Sequence, residues 1–147
     1  MNWGYVIGLL GVGLCVLLCG VGSAIGLKKT GQAAAGILSE DPKKFSKALV
    51  LVVLPATQGI YGFVFGIIGM GSCNVAMTLT QGFQVFLAAL PLAVVGFASA
   101  VHQGNTAASC IHAVAKKESL SGKLILFPAM VETYAILALV ISLLLMA

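Results

Sequence analysis

A chain of 147 residues with 60% hydrophobic and 8% charged side chains, and a mean hydropathy of +1.10, lies far from soluble composition, where about 25% of residues are charged. Four acids and eight lysines, with no arginine, cannot solvate so apolar a globule, and the net charge of +4 is no phosphate-binding patch because its lysines fall into two short segments. Soluble enzymes, disordered linkers and nucleic-acid readers are set aside, leaving an integral membrane protein of one modest domain. Residues 1–27 carry no charge and predict a first span from about Tyr5 to Leu27, because about 30 Å of hydrocarbon takes about 20 helical residues. A cleavable signal peptide would want a basic start, and Met1-Asn2-Trp3-Gly4-Tyr5 has none.

Residues 48–115 also lack charge. That stretch must hold two spans, about Ala48 to Gly69 and Phe83 to Ala107, joined by a polar turn around Gly71, Ser72, Asn74, Thr78, Thr80 and Gln81. A fourth span runs from about Leu124 to Met146 and contains one charge, Glu132. The predicted fold is therefore all-α, with four transmembrane helices in two hairpins, residues 1–75 and 76–147. Eleven of the twelve formal charges lie in segments 28–47 and 116–123. Every lysine belongs to one of them, and lysine bias puts both in the cytoplasm. Both termini and the 70–82 turn are then extracytoplasmic.

The hairpins read as a duplication. Gly31-Gln32-Ala33-Ala34-Ala35-Gly36 aligns with Gly104-Asn105-Thr106-Ala107-Ala108-Ser109 at an offset of 73, and Pro55 with Pro128 at the same offset; Gln58 and Glu132 lie 74 apart. One ionisable site per chain results. Gly4, Gly8, Gly11, Gly13, Gly20, Gly22 and Gly26 crowd the first span. Glycines let membrane helices approach closely, either within one compact chain or on the narrow inner wall of a ring of copies. Pro55, Pro91 and Pro128 should kink or loosen spans two, three and four.

Glu132 lies eight residues into the last span, where a charge costs about 3 kcal/mol on insertion scales, and such residues usually serve ion pathways. On span two, Leu54, Thr57, Gln58 and Tyr61 recur at i, i+3, i+4 and i+7, one face of a helix. Pro55 offers no N–H, so the Leu51 carbonyl loses its helical partner. Gln103 on span three adds another side-chain carbonyl. One carboxylate among neutral oxygens suits a monovalent hard cation. A proton would need only Glu132 and a hydrogen-bond partner, leaving Thr57, Gln58 and Gln103 unexplained, so the set favours sodium. The blander readings are that Thr57 bonds back to its own helix and that Gln103 sits near the headgroups. Cys15 and Cys19 read as small buried hydrophobes, Cys73 and Cys110 as lying on opposite sides, and His102 and His112 as interfacial. No nucleophile–base pair or phosphate loop occurs, so the chain does no bond chemistry itself.

At Leu54-Pro55-Ala56-Thr57-Gln58-Gly59-Ile60-Tyr61-Gly62 and Met130-Val131-Glu132-Thr133-Tyr134-Ala135 the sequence closely resembles the proteolipid, or c-ring, subunits of V-type ATPases in their duplicated four-helix form. The likeness runs from Gly20 to the end and is strongest to the sodium-translocating bacterial type. It implies a sodium site from the Leu54 carbonyl, Thr57, Gln58, Gln103 and Glu132, with Tyr61 hydrogen-bonding Glu132. It implies a homo-oligomeric rotor ring, a membrane stator subunit with an arginine, and a central stalk on the cytoplasmic loops, driven by ATP hydrolysis in a separate soluble head. His102 before Gln103 and Pro128 one turn before Glu132 depart from the family pattern. Three other functions compete: the same rotor carrying H+, a small stand-alone ion-coupled multidrug exporter, and a structural membrane-ring or pore protein, which would leave the buried Glu132 unexplained. The exporter predicts an acid in the first helix and a loose lysine bias, whereas here the acid is in the last helix and the bias is complete. No organic cofactor is implied.

Overall fold

The computed structural model describes residues 2–146 and contains four helices long and apolar enough to cross a membrane: α1 (Trp3–Glu40), α2 (Pro42–Ser72), α3 (Leu79–Lys116) and α4 (Glu118–Met146). Asn2 starts α1. Its side-chain oxygen accepts from the Gly4 N–H at 2.9 Å and the Tyr5 N–H at 3.3 Å, meeting two of the donors a helix start leaves free. Its amide nitrogen donates to the Val75 and Met77 carbonyls at 2.7 and 3.0 Å, so the chain start is tied to the α2–α3 turn. Thr78 and Gln81 form a reciprocal capping box that begins α3.

The helices extend further than the charge pattern suggests. Lys28 and Lys29 lie within α1, and the connection to α2 narrows to Asp41, whose extended backbone (φ −146°, ψ 95°) precedes Pro42. Lys117 turns the chain from α3 to α4 with nearly the same backbone (φ −147°, ψ 94°). A helix of 38 residues is about 57 Å long, well beyond the hydrocarbon layer, so α1 and α3 project from it at the lysine-bearing end. The alanine-rich segment after Thr30 favours helix. Ala33, Ala34 and Ile37 pack there against Ala48, Leu51, Cys110, Ile111 and Val114. A Lys47–Glu118 ion pair, a Lys29–Asn105 hydrogen bond and the Lys44 ammonium on the Ala115 carbonyl at 2.9 Å join the two hairpins at this end.

Inside the subunit α1 and α3 run side by side in the same direction, in backbone contact. A Cβ on Gly104 would fall 2.4 Å from the Gly26 Cα, and one on Gly22 would fall 2.8 Å from the Phe97 Cα. Within the chain Gly11, Gly22 and Gly26 of the first span meet α3 and Gly4 and Gly8 meet the turn before it, while Gly13 and Gly20 face open space. Helix α2 packs on α1, with Gly62 against Cys19, Gly66 against Val16 and Gly69 against Val12. Helix α4 packs on α3, where the Leu92 N–H donates to the Ser142 hydroxyl at 3.1 Å. That bond follows directly after Pro91, and α3 continues through the proline without interruption.

Pro55 and Pro128 do loosen their helices. Around Pro55 the ladder tightens into a 3-10 turn over Leu54–Ala56. The Val52 carbonyl there accepts from the buried Thr30 hydroxyl at 3.0 Å. In the second hairpin the helical ladder breaks at Ile125, before the segment Leu126–Met146. The Pro128 carbonyl accepts from the Gln103 amide at 3.0 Å. Thr30 and Gln103 stand 73 positions apart, the offset of the repeat. Each sends a donor from a long helix to a carbonyl near the proline of the next.

Candidate ion-binding site

The loosened turn at Pro55 and the break before Pro128 lie at the same level of the bundle, and the polar residues gather between them. The Thr57 hydroxyl donates to the Leu54 carbonyl at 3.0 Å and lies 3.3 Å from the Gln58 side-chain oxygen. Three oxygens of α2 are thereby clustered at one turn. Gln58 is fully buried, and its amide nitrogen reaches α3, donating to the Gln103 side-chain oxygen at 2.6 Å and to the Ser99 hydroxyl at 3.1 Å. Gln103, also fully buried, donates to the Pro128 carbonyl at 3.0 Å and to Oε2 of Glu132 at 3.3 Å. Tyr61 donates to Oε1 of Glu132 at 2.5 Å. Every buried side-chain polar atom among the described residues has a partner, as a low-dielectric setting requires.

All six residues singled out from the sequence, Leu54, Thr57, Gln58, Tyr61, Gln103 and Glu132, meet at this junction of α2, α3 and α4. Gln103 is buried inside the bundle and bonded on both edges of its amide. Thr57 does bond back to its own helix, yet its oxygen also faces Gln58. His102, next to Gln103 in sequence, is exposed on α3 and makes no bond to the cluster. Cys15 and Cys19 are fully buried, the Cys19 thiol donating to the Leu92 carbonyl at 3.4 Å.

Sequence reasoning missed Ser99 and Ser23. Ser99 bridges Gln58 and the Val131 carbonyl, to which it donates at 3.1 Å. Ser23 accepts from the Gly59 N–H at 2.8 Å, holding α2 against α1 just beyond the 3-10 turn. Position 99 lies four residues before Gln103 and so shares its helix face; that spacing was the available signal.

Glu132 is the one acid of the cluster, surrounded by neutral donors and acceptors. Its helix turns Phe127, Met130 and Tyr134 outward, and Ile60 and Phe63 of α2 are exposed as well. Glu132 itself is partly exposed and faces Tyr61 and Gln103, on the side of α4 away from Phe127, Met130 and Tyr134. Neutralised by one monovalent cation or one proton, it is compatible with lipid contact; ionised and alone, it is not.

The ATP synthase C-subunit family matches the chain twice, over residues 10–69 and 86–145, once per hairpin. The chain belongs to that family. Along 144 residues it is 44% identical to the V-type sodium ATPase subunit K of Enterococcus hirae, covering 98% of this chain and 92% of that protein. It is 38% identical over 141 residues to the A-type ATP synthase subunit K of Methanocaldococcus jannaschii, covering 96% of this chain and 62% of that longer protein. It is 24% identical over 138 residues to the 16 kDa proteolipid of the V-type proton ATPase from Rattus norvegicus, covering 94% and 89%. Membership in this family removes the exporter alternative. The double match fits two related hairpins in one chain.

Proposed function

We propose that this chain is the membrane rotor-ring subunit of a rotary V-type ATPase and carries Na+ across the membrane on Glu132. The observation that carries the sodium reading is the polar cluster beside the acid: Leu54, Thr57 and Gln58 gather three neutral oxygens at one turn of α2, and Gln103 of α3 links Gln58 to the single carboxylate of α4. One carboxylate balances one monovalent charge, and hard cations take oxygen ligands. The ligands are the Leu54 carbonyl, Thr57, Gln58, Gln103 and Glu132, with Tyr61 fixing the carboxylate from the side. The runner-up is the same rotor loaded with H+, which Tyr61 and Gln103 could accommodate by hydrogen bonding alone.

Identical subunits close into a ring, with the division at 1–75 and 76–147 giving two hairpins per copy. The lysine-rich ends face the cytoplasm, where the central stalk seats, and both termini lie outside. Moving one charge against 100 mV requires about 2.3 kcal/mol, which ATP hydrolysis in the soluble head supplies through rotation. Glu132 crosses the lipid-facing arc neutralised by its ion. It releases that ion where an arginine of the membrane stator subunit provides the competing charge.

Sodium binding by purified ring in native lipid tests the assignment. One radioactive sodium per subunit is expected, and none after Glu132→Gln. Stoichiometric sodium in the Glu132→Gln ring would move the site elsewhere; no sodium in the unaltered ring would leave the proton as the ion.

A further inference from the structure

We infer that Ser99 is a positioning residue for the ion site, fixing which edge of the Gln58 amide faces the ion; this rests on the sodium reading above. A hydroxyl has one proton to donate and two lone pairs. Ser99 commits its proton to the Val131 carbonyl, 3.1 Å away on α4, so it presents only lone pairs to Gln58. The Gln58 edge that meets it must then be the NH2 group, which lies 3.1 Å from the Ser99 oxygen. The second N–H of that group is taken by the Gln103 oxygen at 2.6 Å. Gln103 is itself held in place, because its own NH2 faces two acceptors, the Pro128 carbonyl and Glu132.

With both of its N–H bonds assigned, Gln58 turns its oxygen to the opposite edge, beside the Thr57 hydroxyl. Inverting the amide would set the Gln58 oxygen against two acceptors, Ser99 and Gln103. It would also put an NH2 group where a cation must be met by oxygen. Gln58 is fully buried and Ser99 is 6% exposed, so water cannot replace either contact. The relay begins at Val131, the residue before Glu132, and ends at the oxygens of α2. Ser99 therefore registers the ligands of α2 against the acid of α4 although it does not itself ligate the ion.

Outer partners of this kind typically contribute about 10- to 100-fold to metal affinity. The test uses full-length subunit in native membranes and reads the sodium concentration that half-protects Glu132 from an apolar carbodiimide. Ser99→Ala should raise that concentration about 10-fold or more while leaving the sodium-free modification rate and its pH profile unchanged. Ser99→Thr, which keeps the hydroxyl, should restore the wild-type value. In a Gln58→Ala background Ser99→Ala should add nothing, because its effect passes through Gln58. If Ser99→Ala does not assemble, Ser99→Cys, a similar volume with weak hydrogen bonding, carries the same expectation. Sodium protection unchanged in Ser99→Ala or Ser99→Cys, or an equal loss in the Gln58→Ala background, overturns the inference and spares the sodium site. Absence of protection in the unaltered protein overturns both.

Discussion

The Tyr61 hydroxyl and Oε1 of Glu132 lie 2.5 Å apart, a direct bond between helices α2 and α4. With Gln103 on the other carboxylate oxygen, Glu132 is held from both sides before any ion arrives. Preorganisation of this kind spares the ion the cost of ordering its ligand. Tyr61→Phe keeps the ring and removes the donor. Net hydrogen bonds to charged groups are worth about 1.5–3 kcal/mol, so sodium affinity should fall by roughly one to two orders of magnitude with the subunit still folded. Sodium binding to the purified variant measures this; an unchanged affinity would mean that the tyrosine only packs.

A second prediction concerns the contact between α1 and α3. Gly104 meets Gly26 backbone to backbone, and no side chain can flex away to admit a methyl group. Gly104→Ala should destabilise the subunit by about 1–3 kcal/mol, the usual cost of overpacking. Gly20→Ala, which meets nothing within 4 Å, should leave stability within about 0.5 kcal/mol of the original. Unfolding in detergent, followed by circular dichroism, distinguishes the two. Equal effects would show that α1 and α3 can part without loss.

The spans and the site chemistry were legible because each leaves a mark in composition. Charge-free stretches delimit lipid, and a lone acid such as Glu132 stands out against it. The extension of α1 through Lys28 and Lys29 to Glu40 was not, because hydropathy records where the membrane ends and not where the helix does. The direction of the glycines was equally hidden: Gly20 and Gly22 are alike in sequence, yet one faces open space and the other the Phe97 backbone. Ser99 escaped because a serine within a membrane helix most simply bonds its own carbonyls, and its actual partners lie 41 and 32 residues away. Pro91 was expected to loosen α3 as Pro55 loosens α2. A neighbouring helix instead supplied Ser142 to the N–H beside it.

Native cysteine chemistry offers a test of sidedness. Cys15, Cys19 and Cys110 are buried, while Cys73 is half-buried in the α2–α3 turn. A membrane-impermeant thiol reagent should therefore label Cys73 alone, and only from the extracytoplasmic face. Burial pushes the Cys73 thiol pKa up from its ordinary value, so less thiolate is present at a given pH and labelling is slow near neutrality. The rate should climb with pH to beyond the range where a free cysteine has levelled off. Labelling from the cytoplasmic face would reverse the lysine-based orientation, and a plateau at the free-thiol pH would indicate an open turn.

The remaining prediction separates sodium from the proton at Glu132. A carbodiimide reacts with the protonated acid, and its apolar character suits a partly exposed acid in a helix of otherwise apolar surface. Sodium requires the ionised form of the same carboxylate, so ion and proton exclude one another. Raising the pH removes the competing proton, and a fixed sodium concentration should then protect Glu132 more fully. Potassium, larger and poorly matched to the compact cluster of Leu54, Thr57 and Gln58 oxygens, should protect less. Thr57→Ala removes an oxygen and spares the acid, so Glu132 should stay reactive while sodium loses its hold. If sodium fails to slow modification at every pH and acidity alone sets the rate, Glu132 carries protons. Thr57, Gln58 and Gln103 would then act only as the hydrogen-bonded packing that satisfies a buried acid, since without a cation nothing in that network requires the Leu54, Thr57 and Gln58 oxygens to gather at one turn.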